Sequence, residues 1–210
     1  MAQPSRELAQ KLLATPARPK RPDLPPSTLP LKFLKGERVA FLGNSMAERM
    51  NLFGHFETLL HTRFPEQELI VRNFARPAEE VGIQQRSADY TALDDPQLAF
   101  GADTYLCFFG FNESYAGPEG IEKFKQQYNS YLDMIAKKYP RDDTGAAPRF
   151  VLISPCAFEN TGDPLLPDSS KINENLKLYS AAVADVAKQR GLAFVDTFAA
   201  SETLFAQKSG

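Results

Sequence analysis

Cysteine and histidine are scarce in this sequence, with two of each among 210 residues. Cys107 and Cys156 form neither a C-x-x-C nor a C-x-x-C-H pattern, so nothing supports structural zinc, thioredoxin-like exchange or covalent haem. Charge of one sign is missing as well: Lys and Arg total 24 against 26 Asp and Glu, a net charge of -2. No basic block is available to follow a phosphate backbone, which argues against a nucleic-acid partner. No apolar run approaches the roughly 18 to 20 residues of a membrane-spanning helix. The first residues lack the basic, apolar and small-residue order of a secretory signal, and the compartment stays open. Neither G-x-G-x-x-G nor the P-loop pattern occurs, which sets aside a nucleotide or flavin binder, and no cofactor is expected.

What remains is enough for one substantial core, since 43% of the residues are hydrophobic and the length suits one domain better than two. Residues 1–35 begin with a short amphipathic piece (Leu8, Leu12, Leu13). They continue through Pro16, Pro19, Pro22, Pro25, Pro26 and Pro30, a density that prevents helix and central strand and reads as an extended leader or linker. The folded domain is expected over residues 36–210, and the leader leaves room for a further domain in the natural protein.

Within that domain short apolar runs alternate with helical periodicity. Arg38–Gly43, Glu68–Phe74, Thr104–Gly110, Arg149–Pro155 and Leu192–Phe198 read as strands. One helix is marked by Ile121, Phe124, Tyr128, Leu132, Ile135 and Tyr139. Another is marked by Ile172, Leu176, Tyr179, Val183 and Val186, ending at Gly191. Such alternation predicts an α/β fold: a three-layer, doubly wound, flavodoxin-like parallel sheet of five strands. Open parallel sheets bind ligands beyond the carboxyl ends of their strands. The residues just past those ends are Gly43-Asn44-Ser45, the stretch Asn73 to Ala78, Phe111-Asn112-Glu113 and Cys156 to Glu159.

Three of these segments carry a family resemblance. Gly43-Asn44-Ser45, then Asn73-Phe74-Ala75-Arg76-Pro77-Ala78, then Gly110-Phe111-Asn112-Glu113 are similar, in order, to the first three blocks of the SGNH (GDSL-like) hydrolases. The resemblance covers residues 36–210 and is nearest to SGNH-like domains of large planctomycete-type proteins. It implies acyl transfer, with Ser45 as nucleophile. The Ser45 backbone N–H, the Ala75 backbone N–H and the Asn112 side-chain amide are the implied donors to the developing oxyanion. Small acyl or acetyl esters, including carbohydrate-linked ones, are the implied substrates.

The same residues also have plain readings. Ser45-Met46-Ala47-Glu48 is an S-x-x-E capping box, and Asn112 suits a turn or helix start. Ala75 and Ala78 stand where the family usually has glycine. Asn44 replaces its usual aspartate, and Glu113 the aspartate common after the asparagine. The family's Asp-x-x-His segment has no counterpart after Phe198. His55 and His61 fall on the helix expected to begin at Ser45, and at about 1.5 Å per residue they lie roughly 15 and 24 Å along it, beyond hydrogen-bonding reach. Asp196 without a histidine makes no triad. Cys156 reads as a structural thiol and Cys107 as core. The expectation is a serine ester hydrolase whose acid-base pair follows residue 210, these 210 residues being inactive alone. The alternative is a non-catalytic SGNH-like module that binds a glycan or partner.

Overall fold

The computed structural model describes residues 18–84 and 94–208. Five parallel strands form one sheet in the order β2-β1-β3-β4-β5: β1 (Arg38–Gly43), β2 (Ile70–Asn73), β3 (Thr104–Phe108), β4 (Arg149–Ile153) and β5 (Ala193–Val195). Among the described residues the sheet is accompanied by α1 (Ser45–Arg49), α2 (His55–Arg63), α3 (Pro96–Phe100), α4 (Ile121–Lys138), α5 (Ser169–Arg190) and α6 (Thr197–Lys208).

Alternation along each central strand divides the core into two layers. Ala40, Leu42, Tyr105, Cys107, Phe150 and Leu152 pack against Tyr128, Leu132 and Ile135 of α4 and Tyr179, Val183 and Val186 of α5. Val39, Phe41, Leu106, Phe108, Val151 and Ile153 face the other way, with Ala47 of α1 and Phe56 and Leu60 of α2. This is the expected three-layer α/β architecture. Among the described residues no helix is long and apolar enough to cross a membrane.

Several boundaries differ from the sequence reading. The helix expected to run from Ser45 through His61 is broken: α1 ends at Arg49, a 3₁₀ turn covers Met50–Leu52, and Gly54, at φ 63°, starts α2 afresh. The axial distances inferred for His55 and His61 therefore do not apply, although both side chains are exposed. The fifth strand stops at Val195 because Ser154 Oγ accepts the N–H groups of Thr197 (2.9 Å) and Phe198 (3.1 Å) and turns the chain into α6. The third and fourth strands likewise end two residues early, at Phe108 and Ile153.

Residues 18–35 are extended, but they dock instead of leaving the domain. Leu31 and Phe33 pack against the second core layer. Arg149 reaches out from β4 to donate to the Lys32 carbonyl (2.9 Å) while pairing with buried Glu37 (2.7 Å), and Thr104 Oγ1 donates to the same carboxylate (2.6 Å). Beside this group Asp103, fully buried, pairs with Arg18 (3.0 Å), Arg21 (2.5 Å) and Arg141 (3.3 Å) and accepts the Arg38 N–H (2.8 Å). The folded unit therefore extends in front of Gly36 as a strap along the amino edge of the sheet. The amphipathic piece at Leu8, Leu12 and Leu13 lies outside the described residues.

Burial works against the charge of Asp103, but its bonds from Arg18, Arg21 and the Arg38 N–H outweigh it and hold the carboxyl below its usual range. A depressed carboxylate stabilises the fold above its unfolded pKa and loses that contribution as pH falls through its folded one. Asp103→Asn is expected to destabilise by roughly 3 to 5 kcal/mol at pH 7, the cost of stranding buried cations. Urea denaturation checks this, and the gap between variant and wild type should narrow below about pH 4.

Candidate active site

The strand order reverses between β1 and β3, and in a sheet of this order that switch point opens a crevice at the carboxyl ends. The loops after β1 and β3 border it. Gly43, at φ 142°, runs so close to β3 that a Cβ there would lie 2.3 Å from the Phe108 carbonyl oxygen. Only glycine fits, and the approach lets the Asn44 N–H reach that carbonyl (3.2 Å). Asn44, not Ser45, is the cap of α1: its Oδ1 accepts the Met46 N–H (3.0 Å). The capping-box reading of Ser45 is thereby replaced. Ser45 is the first residue of the helix, half-buried, with neither its hydroxyl nor its N–H bonded among the described residues. The first turn of a helix leaves such N–H groups available.

After β2, Asn73 ties two of the segments together. Its Nδ2 donates to the Ala47 carbonyl of α1 (2.6 Å) and its Oδ1 accepts the Ala75 N–H (3.0 Å). Ala75 is buried and avoids positive φ, but its N–H is spent inside the chain. The next four residues form a turn closed by Glu79 N–H to Arg76 O (3.3 Å), with Pro77 second and Ala78 third at φ 63°. Proline followed by a positive-φ residue is the pattern of a type II turn, which favours glycine at the third position. Ala78 is exposed, and its N–H has no partner among the described residues.

Beyond β3 the chain turns through Gly110 into a 3₁₀ segment at Glu113–Ala116. Asn112 Nδ2 donates to the Glu79 carbonyl (3.2 Å), so the Asn112 amide and the loop carrying Ala78 are in contact. Glu113 is buried, and its two oxygens accept the N–H groups of Val81 (2.9 Å) and Gly110 (2.8 Å). Burial pushes its carboxyl up to about 7, against the lowering effect of the backbone donors.

At the ends of β4 and β5, Ser154 is consumed in starting α6, and Asp196 Oδ1 accepts the Ala199 N–H (2.9 Å) as an exposed cap. Cys156 is half-buried, its thiol raised by burial, and Cys107 lies wholly inside the core, its thiol raised for the same reason. Neither has the low pKa of a nucleophilic thiolate. The His55 ring stacks on the exposed Phe53 at 6.0 Å, and neither histidine bonds a residue of the switch-point loops. A cavity of about 640 Å³ lies nearby, lined by Glu79, Val81, Gln97, Gln127, Tyr131 and Met134 among others, but not by Ser45 or Asn112. Ser45, with its unengaged hydroxyl, and Ala78, with its unengaged N–H, both lie outside that lining.

The residues that the sequence singles out lie just past three neighbouring strand ends: Ser45 at the start of α1 after β1, Ala75 after β2 and Asn112 after β3. The sequence reading missed the roles of Asn73 and Glu113, and it gave the donor role to Ala75 where the unengaged N–H belongs to Ala78. The signal for Ala78 was Pro77, which presets the turn.

By sequence, no family model and no curated protein matches the chain. Among solved structures it is similar to a GDSL-like lipase from Parabacteroides merdae, with TM-score 0.63, 17% identity and coverage of 84% of this chain and 86% of that one. It is similar to Axe2, an acetylxylan esterase from Geobacillus stearothermophilus, with TM-score 0.59, 18% identity and coverage of 84% and 83%. A gut microbial diltiazem-metabolizing enzyme matches with TM-score 0.60 and 20% identity over 82% of this chain, which spans 39% of that enzyme. The chain has the fold of the SGNH/GDSL-type hydrolases.

A left-handed conformation costs an L-residue about 1 to 2 kcal/mol, partly offset by the greater unfolded-state freedom of glycine, about 0.4 to 1 kcal/mol. Ala78→Gly should therefore leave stability unchanged or raise it by up to about 1.6 kcal/mol, whereas Ala78→Val should lower it, both read by thermal denaturation.

Proposed function

We propose that this domain is built for serine ester hydrolysis of the SGNH/GDSL type, on small acyl or acetyl esters, with carbohydrate acetates as the favoured class. The observation that carries the reading is the Ser45 hydroxyl, unengaged at the start of α1, with the Ala78 N–H and the Asn112 carboxamide on the loops that border the same switch point. The acetylxylan esterases among the structural neighbours support the substrate class.

In this reading Ser45 Oγ attacks the ester carbonyl carbon and gives its proton to a base. The carbonyl oxygen becomes an oxyanion, for which the Ser45 N–H, the Ala78 N–H and Asn112 Nδ2 are the donors. Donors fixed beforehand matter because they need no reorganisation as the charge develops. Collapse expels the alcohol and leaves an acyl group on Ser45, and water then releases the acid. Neither His55 nor His61 bonds Ser45 among the described residues, so residues 1–210 alone are expected to turn over slowly, as hydrolases do when the base is removed.

A slow reaction is still readable as a covalent product. With p-nitrophenyl acetate as acyl donor and imidazole as external base, acetyl should accumulate on the peptide containing Ser45, detected by peptide mass spectrometry. Ser45→Ala should abolish the label. Asn112→Ala should slow its appearance by about 10²-fold or more, the usual cost of one oxyanion donor. Acetylation that persists unchanged in Ser45→Ala would overturn the assignment. The Asn112 amide bonded to the chain's own Glu79 carbonyl also favours a second reading, a binding module. Absence of Ser45 acetylation together with retained binding of an acetylated xylo-oligosaccharide would select it.

A further inference from the structure

The groups assigned to the reaction do not include a buried carboxyl that lies between their loops. Glu113 is 7% exposed, and it belongs to neither the nucleophile nor the donor set. Its side chain spans two loops: Oε1 accepts the N–H of Val81, in the loop that follows the Ala78 turn, and Oε2 accepts the N–H of Gly110, which opens the loop carrying Asn112. Two residues before Val81, the Glu79 carbonyl holds Asn112 Nδ2. The Asn112 amide is thus fixed on one side by its own loop and on the other by a loop whose place Glu113 sets.

We propose that Glu113 is the positioning residue of this site: its carboxylate locks the Ala78 and Asn112 loops in one register, and loss of its charge releases them together. The inference rests on reading Asn112 as an oxyanion donor. An ionised carboxyl accepts on both oxygens, whereas a protonated one turns one oxygen into a donor. One of the two backbone N–H groups then faces a hydroxyl oxygen, a much weaker acceptor than a carboxylate oxygen, and that group is buried with no strand to satisfy it. The surroundings set where this happens. Burial raises the carboxyl to about 7, the Glu80 carboxylate raises it further, and the N–H bonds oppose both. Tyr128 of α4 and Tyr179 of α5 are coupled to it from the helices, with Glu119 beyond Tyr179. A clamp of this kind changes state within the neutral range, where an ordinary glutamate is always ionised.

The test reads Asn112 directly and needs no turnover. In ¹⁵N-labelled protein, the side-chain amide signal of Asn112, assigned by its loss in Asn112→Asp, is followed with the backbone amides of Val81 and Gly110 from pH 5.5 to 8.5. The expected result is one shared titration of all three, with a midpoint near 7. In Glu113→Gln all three should be flat, with the Asn112 signal at its low-pH position, since the variant holds the protonated hydrogen-bonding pattern at every pH. Val81 and Gly110 titrating while Asn112 stays fixed would overturn the proposal, as would three flat signals in the wild type. Should Glu113→Gln fail to fold, the wild-type titration decides alone. Where Ser45 acetylation is observed, Glu113→Gln should slow it about tenfold or more, the effect of a misplaced reacting group, and an unchanged rate would also contradict the assignment. Failure of acetylation in the wild type touches the esterase reading and leaves the titration result standing.

Discussion

Glu113 lies where two loops from different strands run side by side, each presenting a backbone N–H that no ladder reaches. Parallel strands satisfy their backbone groups along the sheet and leave the loops beyond it to find partners elsewhere. Here one buried carboxyl serves both, accepting Val81 and Gly110. Asn73 does the same between α1 and the loop after β2, giving to Ala47 and receiving from Ala75. Ser45, Ala78 and Asn112 come from three separate strand ends, and these carboxyl and carboxamide bridges relate them. Without them the switch point would be a gap between independent loops.

The two edges of the sheet divide the work by their chemistry. The amino edge holds fully buried acids, Glu37 and Asp103, answered by Arg149, Arg18, Arg21 and Arg141. Such charges are tolerable inside a protein only when paired, and two of the answering arginines come from the strap. That chemistry fixes the strap and keeps the proline-rich segment part of the fold. The carboxyl edge is different: it presents glycine, alanine, asparagine and serine, with the Ser45 hydroxyl and the Ser45 and Ala78 N–H groups unbonded among the described residues. Rigidity at one end and available donors at the other suit a site that must be organised before its substrate arrives.

Much of this was legible in the residues. Strand and helix periods placed the five strands and the two long helices within a few residues, because the central strands are buried on both faces and the helices on one. The positions of the three loop segments were legible as well, since each directly follows a strand of the parallel sheet. Local hydrogen bonding was harder to read. Ser45-x-x-Glu48 fits a capping box, yet Asn44 caps because Gly43 brings it into position one residue earlier. Ala75 and Ala78 look equivalent in sequence, and only the bond from Ala75 to Asn73 separates the engaged N–H from the open one. The strap was read as a linker because prolines exclude regular structure, but they do not exclude docking, and its anchors on Asp103 and Arg149 lie far off in sequence.

In the proposed mechanism Ser45, Ala78 and Asn112 act on one reacting centre. A crystal structure of the protein soaked with an alkylboronic acid tests it most directly, because boron becomes tetrahedral on bonding a serine oxygen and mimics the intermediate. The expected structure has boron bonded to Ser45 Oγ, with one boronate oxygen about 3 Å from both the Ala78 nitrogen and Asn112 Nδ2, the distance required of oxyanion donors. Boron on another residue, or on Ser45 with its oxygens turned away from both donors, would contradict it.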